Sequence, residues 1–187
     1  MAEKGGKKLP FGHTDAQLSE EGIEQAKKLA ERLKNEKIDS IYSSDLKRAK
    51  HTAQEVAKFH PHCKINYTPE IREQNLGVLE AVDLDQHEEY KKHGWKIFHA
   101  PEGGESRQEV RKRADEFLQK LLAAHGRETV LVIAHGVFNG GLISVIRKMD
   151  FESIWQEYKL DNTCINIFEI TEDGVKTELH DCTKHLH

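Results

Sequence analysis

Thr129-Val130-Leu131-Val132-Ile133-Ala134-His135-Gly136 is the stretch that decides the fold. A short apolar run, rich in β-branched residues and stopped by a polar ring and a glycine, reads as a strand buried on both faces. Such strands belong to parallel sheets covered by helices above and below. The apolar helix that follows, through Met149, is one such cover. His135 therefore stands at the carboxyl end of a strand where a helix begins. Open α/β sheets gather ligands there, and Gly136 lets a ligand come close to the backbone.

Upstream of that strand, Ser106-Arg107-Gln108-Glu109 fits a capping box. Val110, Ala114, Phe117, Leu118, Leu121 and Leu122 give the helix it opens an apolar face. Lys64 to Thr68 alternates like a strand. Ser44 is a candidate cap for a helix with Leu46, Ala49, Ala53, Val56 and Ala57 on one side, and Ile38 to Ser43 is β-prone. A first helix starts near Ser19 and ends near Lys37. Its stripe is Ile23, Ala26, Leu29, Ala30 and Leu33, with Leu18 and Ile23 able to staple its entry. Residues 1–11 read as an irregular lead-in, and residues 69–105 as less regular. Downstream, 151–159 reads as a short helix. Ile165 to Ile170 and Val175 to Leu179 flank Asp173-Gly174 as a closing hairpin. The alternation predicts one three-layer α/β/α domain over residues 1–187, its sheet mostly parallel with an antiparallel edge.

Composition narrows the function classes. The chain has 187 residues, 32% charged and 37% hydrophobic, which suits a folded domain with a core. A net charge of −4 gives a nucleic-acid partner little support. No run of apolar residues is long enough for a membrane span, and the first residues lack the apolar core of a signal peptide. Cys63, Cys164 and Cys182 have no paired spacing, which suits free thiols in a reducing compartment, the cytoplasm by default. His60, His62 and Cys63 cluster, as do His180, Cys182, His185 and His187, but neither spacing is that of a closed zinc site, and surface histidines are the better account.

Two further places share the position of His135. Arg48 lies in the first turns of the helix after Ser43-Ser44, where its planar fork suits a phosphate or carboxylate. Glu73 follows a strand and precedes the turn at Gly77, where a carboxyl group can give a proton to a leaving oxygen. Taken singly, each also fits a solvated surface residue or a satisfied histidine.

Together and in order, these segments resemble the histidine phosphatase (phosphoglycerate mutase-like) superfamily. The blocks are Gly12-His13-Thr14-Asp15 through Gly22, Ser43-Ser44 through Arg48-Ala49 and Thr52-Ala53, Arg72-Glu73 with Gly77, Gly103-Gly104-Glu105-Ser106, and Ala134-His135-Gly136. The resemblance implies phosphomonoester hydrolysis through a phosphohistidine, without metal or organic cofactor. By position, Arg48 would bind phosphate with Ser44, the backbone of Gly136 and Val137, Glu105 and Ser106. His135 would stabilise the transferring group and Glu73 would be the general acid. A small phosphorylated substrate is implied. A mutase is the lesser alternative, since mutases usually carry longer substrate-side insertions.

One family block is not found. The family opens with a central strand running into Arg-His-Gly-Glu-Thr, whose histidine attacks phosphorus. No Arg-His-Gly occurs in the 187 residues, and only residues 1–11 precede Gly12. The expectation is a sheet with unpaired backbone groups or with strands drawn together over the gap. A shortened active phosphatase, a non-catalytic phosphate-ester binding or interaction protein, and a site completed by another segment all fit this pattern. The last makes a strand-swapped homodimer the oligomer to look for. A stand-in role for His13 as nucleophile is set aside, because a loop histidine is poorly placed for in-line attack.

Overall fold

Ser43 and Ser44, which end the first predicted strand, lie wholly buried in the middle of a parallel sheet. The structure is a computed structural model and describes residues 2–4, 7–83, 87, 88, 91 and 100–187. In chain order the elements are β1 (Ala2–Lys4), β2 (Lys7–Leu9), α1 (Glu20–Leu33), β3 (Ser40–Ser44), α2 (Lys47–Ala57) and β4 (Ile65–Thr68). Two single 3-10 turns, Pro69–Ile71 and Gly77–Leu79, follow. Then come α3 (Arg107–His125), β5 (Val130–Ile133), α4 (Gly136–Ile146), α5 (Phe151–Glu157), β6 (Ile165–Thr171) and β7 (Gly174–Cys182).

Local chemistry explains the boundaries. Ser19 caps α1 by accepting from the Gly22 N–H, so the helix begins as expected, but it stops at Leu33 instead of near Lys37. Both halves of the Ser106/Glu109 capping box are made at the start of α3. Ser44 does not cap α2: its buried hydroxyl accepts from the Leu46 N–H at 3.3 Å, and Leu46 takes the cap position without a side-chain bond. The lead-in is not wholly irregular, because β1 pairs antiparallel with β2. Gly5-Gly6 between those runs is a hairpin signal that the alternation of apolar residues does not reveal. His60 is not a surface residue. It is buried with Nε2 on the Leu33 carbonyl, while His62 and Cys63 both bond the Ile38 carbonyl. That cluster ties the α2–β4 loop to the entry of β3, and no group able to hold a metal ion occurs among the described residues.

β3 is the central strand of a parallel sheet ordered β4-β3-β5, with Tyr42 opposite Asn66 on one side and Val132 on the other. One face carries α1 and α2, whose Leu29, Ala30, Leu33, Ala53 and Val56 pack with Ile41 and Ile133. The other carries α3 and α4, whose Val110, Phe117 and Phe138 pack with Tyr42 and Val132. The antiparallel pair β6–β7 is a separate ladder. It nevertheless belongs to the same layer: Ile165 joins the α1/α2 core and Ile170 the α3/α4 core. The expected architecture of a parallel sheet with an antiparallel pair is present. Among the described residues no helix is long and apolar enough to cross a membrane.

β5 differs from the strand its sequence describes. Among the described residues it bonds to β3 alone, and Val130, Leu131 and Val132 are only half-buried. Strong apolarity therefore does not place it inside the sheet. Hydrogen exchange checks this pattern. Amides along β3, flanked on both sides, should all be protected, whereas every second amide of β5 should exchange markedly faster.

Candidate phosphate site at the strand ends

The parallel register that sets Ser43 opposite Ile133 brings the carboxyl ends of β3 and β5 side by side. The helices that follow them, α2 and α4, therefore open next to each other. Arg48 is in the first turn of α2 and His135 is the residue before α4. They meet: Arg48 Nε donates to His135 Nδ1 at 3.2 Å. The guanidinium is held from behind, with Nη1 donating to the Thr14 carbonyl at 2.9 Å and Nη2 to the Gly12 carbonyl at 2.8 Å.

This contact assigns the tautomer of His135. Nδ1 accepts, so the proton of the neutral ring sits on Nε2. Nε2 is buried and has no hydrogen-bond partner among the described residues. Burial, then the positive charge of Arg48, push the imidazole well below its ordinary pKa.

Glu73 lies on the N-terminus of α4. Its carboxylate accepts from the N–H groups of Val137 at 3.0 Å, Phe138 at 3.2 Å and Gln74 at 2.9 Å. Burial raises its pKa, against the pull of those N–H groups and of Arg48. The Val137 N–H, a sequence candidate for phosphate, is thus given to Glu73, and the Gly136 backbone lies beside the same carboxylate.

Arg113 fixes the segment carrying Glu73. It donates to the carbonyls of Glu70 at 2.7 Å, Arg72 at 2.9 Å and Glu73 at 3.3 Å, and its fork also holds the Glu105 carboxylate. Glu105 lies 4.0 Å from His13 Nε2, which donates to the Glu73 carbonyl at 2.8 Å. Arg48, His135, Glu73, Gly136 and Val137 therefore share one site, with Glu105 at its rim. Ser44 lies below, spent on Leu46, and the Ser106 side chain is spent on capping α3. Sequence reasoning missed Arg113, one charge among many on α3. It weighed His13 only as a nucleophile, although the Gly12-His13-Thr14-Asp15 block carried the clue.

The sequence profile of the histidine phosphatase superfamily (branch 1) matches residues 3–183. The chain belongs to that superfamily. Among its relatives is phosphoglycerate mutase-like protein 4 of Arabidopsis thaliana, 32% identical over 173 residues, or 88% of this chain and 73% of that protein. Another is the metal-independent phosphoserine phosphatase of the same plant, 33% identical over 133 residues, or 67% of this chain and 56% of that protein. Among solved structures, YhfR of Bacillus stearothermophilus superposes with a TM-score of 0.87 at 27% identity, covering 95% of this chain and 91% of that one. A variant phosphoserine phosphatase of Entamoeba histolytica, in complex with phosphoserine, gives a TM-score of 0.80 at 26% identity, covering 95% and 90%.

Two outcomes follow for this histidine phosphatase relative. Because His135 has its pKa lowered by folding, the unfolded chain binds more protons below the ordinary imidazole range. Stability is then full above about pH 6.5 and falls as pH drops toward the folded value. Denaturant midpoints should fall between pH 7.5 and pH 5.5 (about the imidazole range), with a shallower fall in His135→Asn. Arg113→Ala should cost about 2 kcal/mol or more in chemical unfolding, since it removes one donor from each of three carbonyls and the guanidinium from the Glu105 carboxylate.

Proposed function

We propose that the cleft at the ends of β3 and β5 receives the phosphoryl group of a small phosphate monoester and serves its hydrolysis. The observation that carries this reading is the buried Nε2–H of His135, a donor beside a guanidinium without an acceptor among the described residues. An unmade hydrogen bond in such a place costs about 1–3 kcal/mol, which an anionic oxygen would relieve. Arg48 spends three of its five N–H groups on His135, Thr14 and Gly12, leaving two for a ligand.

Arg48 and His135 would hold the charge that spreads over the phosphoryl oxygens during transfer. Glu73, kept protonatable by burial, would give its proton to the leaving oxygen, so that an alcohol and not an alkoxide departs. Relatives named as a phosphoserine phosphatase and a phosphoglycerate mutase-like protein support a small phosphorylated substrate. The name of one of them supports chemistry without a metal. A mutase is the weaker reading for so compact a chain. A cytoplasmic, single-domain protein is the setting that the free cysteines and the unbroken alternation of elements favour.

Transfer through a phosphohistidine requires an attacking imidazole, and no histidine of the chain stands in Arg-His-Gly. A second reading, which Arg48 and the Nε2–H of His135 would serve equally well, is a phosphate-ester binding module without turnover. One experiment separates the two. Titration calorimetry with inorganic phosphate should show binding that Arg48→Ala weakens about tenfold or more. Hydrolysis of an aryl phosphate in the presence of chelator, abolished in His135→Ala, would make the chain a hydrolase. Binding without hydrolysis would make it a module, and no phosphate binding at all would overturn both.

A further inference from the structure

We infer that Glu80 is a positioning residue that aims Arg48, acting from the far side of the loop that carries His13. Its carboxylate gathers three donors. Oε1 accepts from the His13 N–H at 2.6 Å and the Leu76 N–H at 3.2 Å, and Oε2 accepts from the Thr14 hydroxyl at 2.8 Å. The next residue continues the clamp, the Ala81 N–H donating to the Pro10 carbonyl at 2.7 Å. The segment from Pro10 to Thr14 is thereby pinned to residues 80–81.

The pinned loop is the one that orients Arg48. The two carbonyls gripping the guanidinium belong to Gly12 and Thr14, the residues on either side of His13. Glu80 fixes the N–H between those carbonyls and the hydroxyl beside one of them, so it fixes the direction in which both carbonyls point. The chain of contacts runs from Glu80 to the loop, from the loop to Arg48, and from Arg48 to His135. Gly12 shows how close this approach is. Its φ is +46°, and a Cβ there would come within 2.3 Å of Glu80 Oε1. Only glycine lets the loop lie against the carboxylate in that conformation.

The arrangement also indicates how Glu80 works. A carboxylate near an anion site opposes anion binding by its charge, so Glu80 contributes as an acceptor of N–H and O–H bonds and not as a charge. Gln offers an oxygen for the two N–H groups and an NH2 that the Thr14 hydroxyl can accept from. Ala offers neither.

The inference rests on the phosphate-binding reading of the cleft, and its test uses two readouts so that either can fail alone. Inorganic phosphate affinity would be measured by calorimetry for the intact chain, Glu80→Ala, Glu80→Gln, Arg48→Ala and the Glu80/Arg48 double alanine variant. Glu80→Ala should weaken binding about tenfold, Glu80→Gln by less than about twofold, and Glu80→Ala should add nothing once Arg48 is gone. Equal losses in the Gln and Ala variants, or an undiminished loss in the Arg48→Ala background, would overturn the inference. The second readout is the NMR titration of the His135 ring without ligand. Releasing Arg48 removes a positive charge from the imidazole, so the ring should titrate at higher pH in Glu80→Ala and not in Glu80→Gln. That pattern with no phosphate binding by the intact chain would keep the positioning role and overturn the phosphate reading. Unchanged titration together with unchanged phosphate affinity in Glu80→Ala would overturn the positioning role. If Glu80→Ala does not fold, Thr14→Val removes only the hydroxyl bond and should move both readouts in the same direction by less; no movement in either would count against the role.

Discussion

The site depends on the register between β3 and β5. Parallel pairing with Ser43 opposite Ile133 ends both strands at the same level. A slip of one residue would turn the side chains of a whole strand to the opposite face. Slipping β5 in this way would move Ile133 out of the α1/α2 core and carry His135 away from Arg48. The register is held by burial: Ile41, Val56, Val110 and Phe138 are wholly enclosed on the two sides of the sheet. The chemistry of two side chains 87 positions apart is thus a by-product of core packing.

Electrostatics then gives the three central residues different tasks. His135 is kept neutral by burial and by Arg48, and so presents one N–H and one lone pair. Arg48 is itself partly desolvated, and its ordinary positive form is supported by Glu73, Asp15 and Glu80 in turn. Glu73 is pushed toward the protonated form by burial while three backbone N–H groups favour its charge. Opposing influences of this kind leave a carboxyl group responsive to what sits beside it. An arriving anion would remove part of the reason for its ionisation, and protonated Glu73 is the form that can serve a leaving oxygen.

Much of this was legible in the sequence, for identifiable reasons. The capping box at Ser106, the stripe of α1 and the hairpin around Asp173-Gly174 are local patterns, and local patterns carry over directly. The places of Arg48 and His135 were readable because a strand end followed by a helix is a position with known use, and that of Glu73 because a carboxylate there lies between a strand and a glycine turn. Arg113 and Glu80 were not. Their roles come from backbone carbonyls and N–H groups of segments far away in sequence, and any arginine or glutamate looks alike until those partners are placed. The resemblance offers Ser44 and Ser106 as ligand contacts by position, while their own sequence context offers both as helix-cap residues. Each satisfies a local backbone N–H, the commoner use of a serine beside a helix start.

The half-buried state of β5 ties the fold to the site. Its apolar sequence suits a strand flanked on both sides, yet among the described residues only β3 flanks it. β6 shares both helical layers with the sheet but, among the described residues, bonds to β7 alone. Among the described residues one edge of β5 therefore has no strand partner, and water can satisfy the backbone groups of such an edge only as long as nothing covers them. The carboxyl end of that edge is the end at which His135 stands. A strand seated there parallel to β5 would finish beside the imidazole, so an occupant of the edge would also border the site that Arg48 and His135 form.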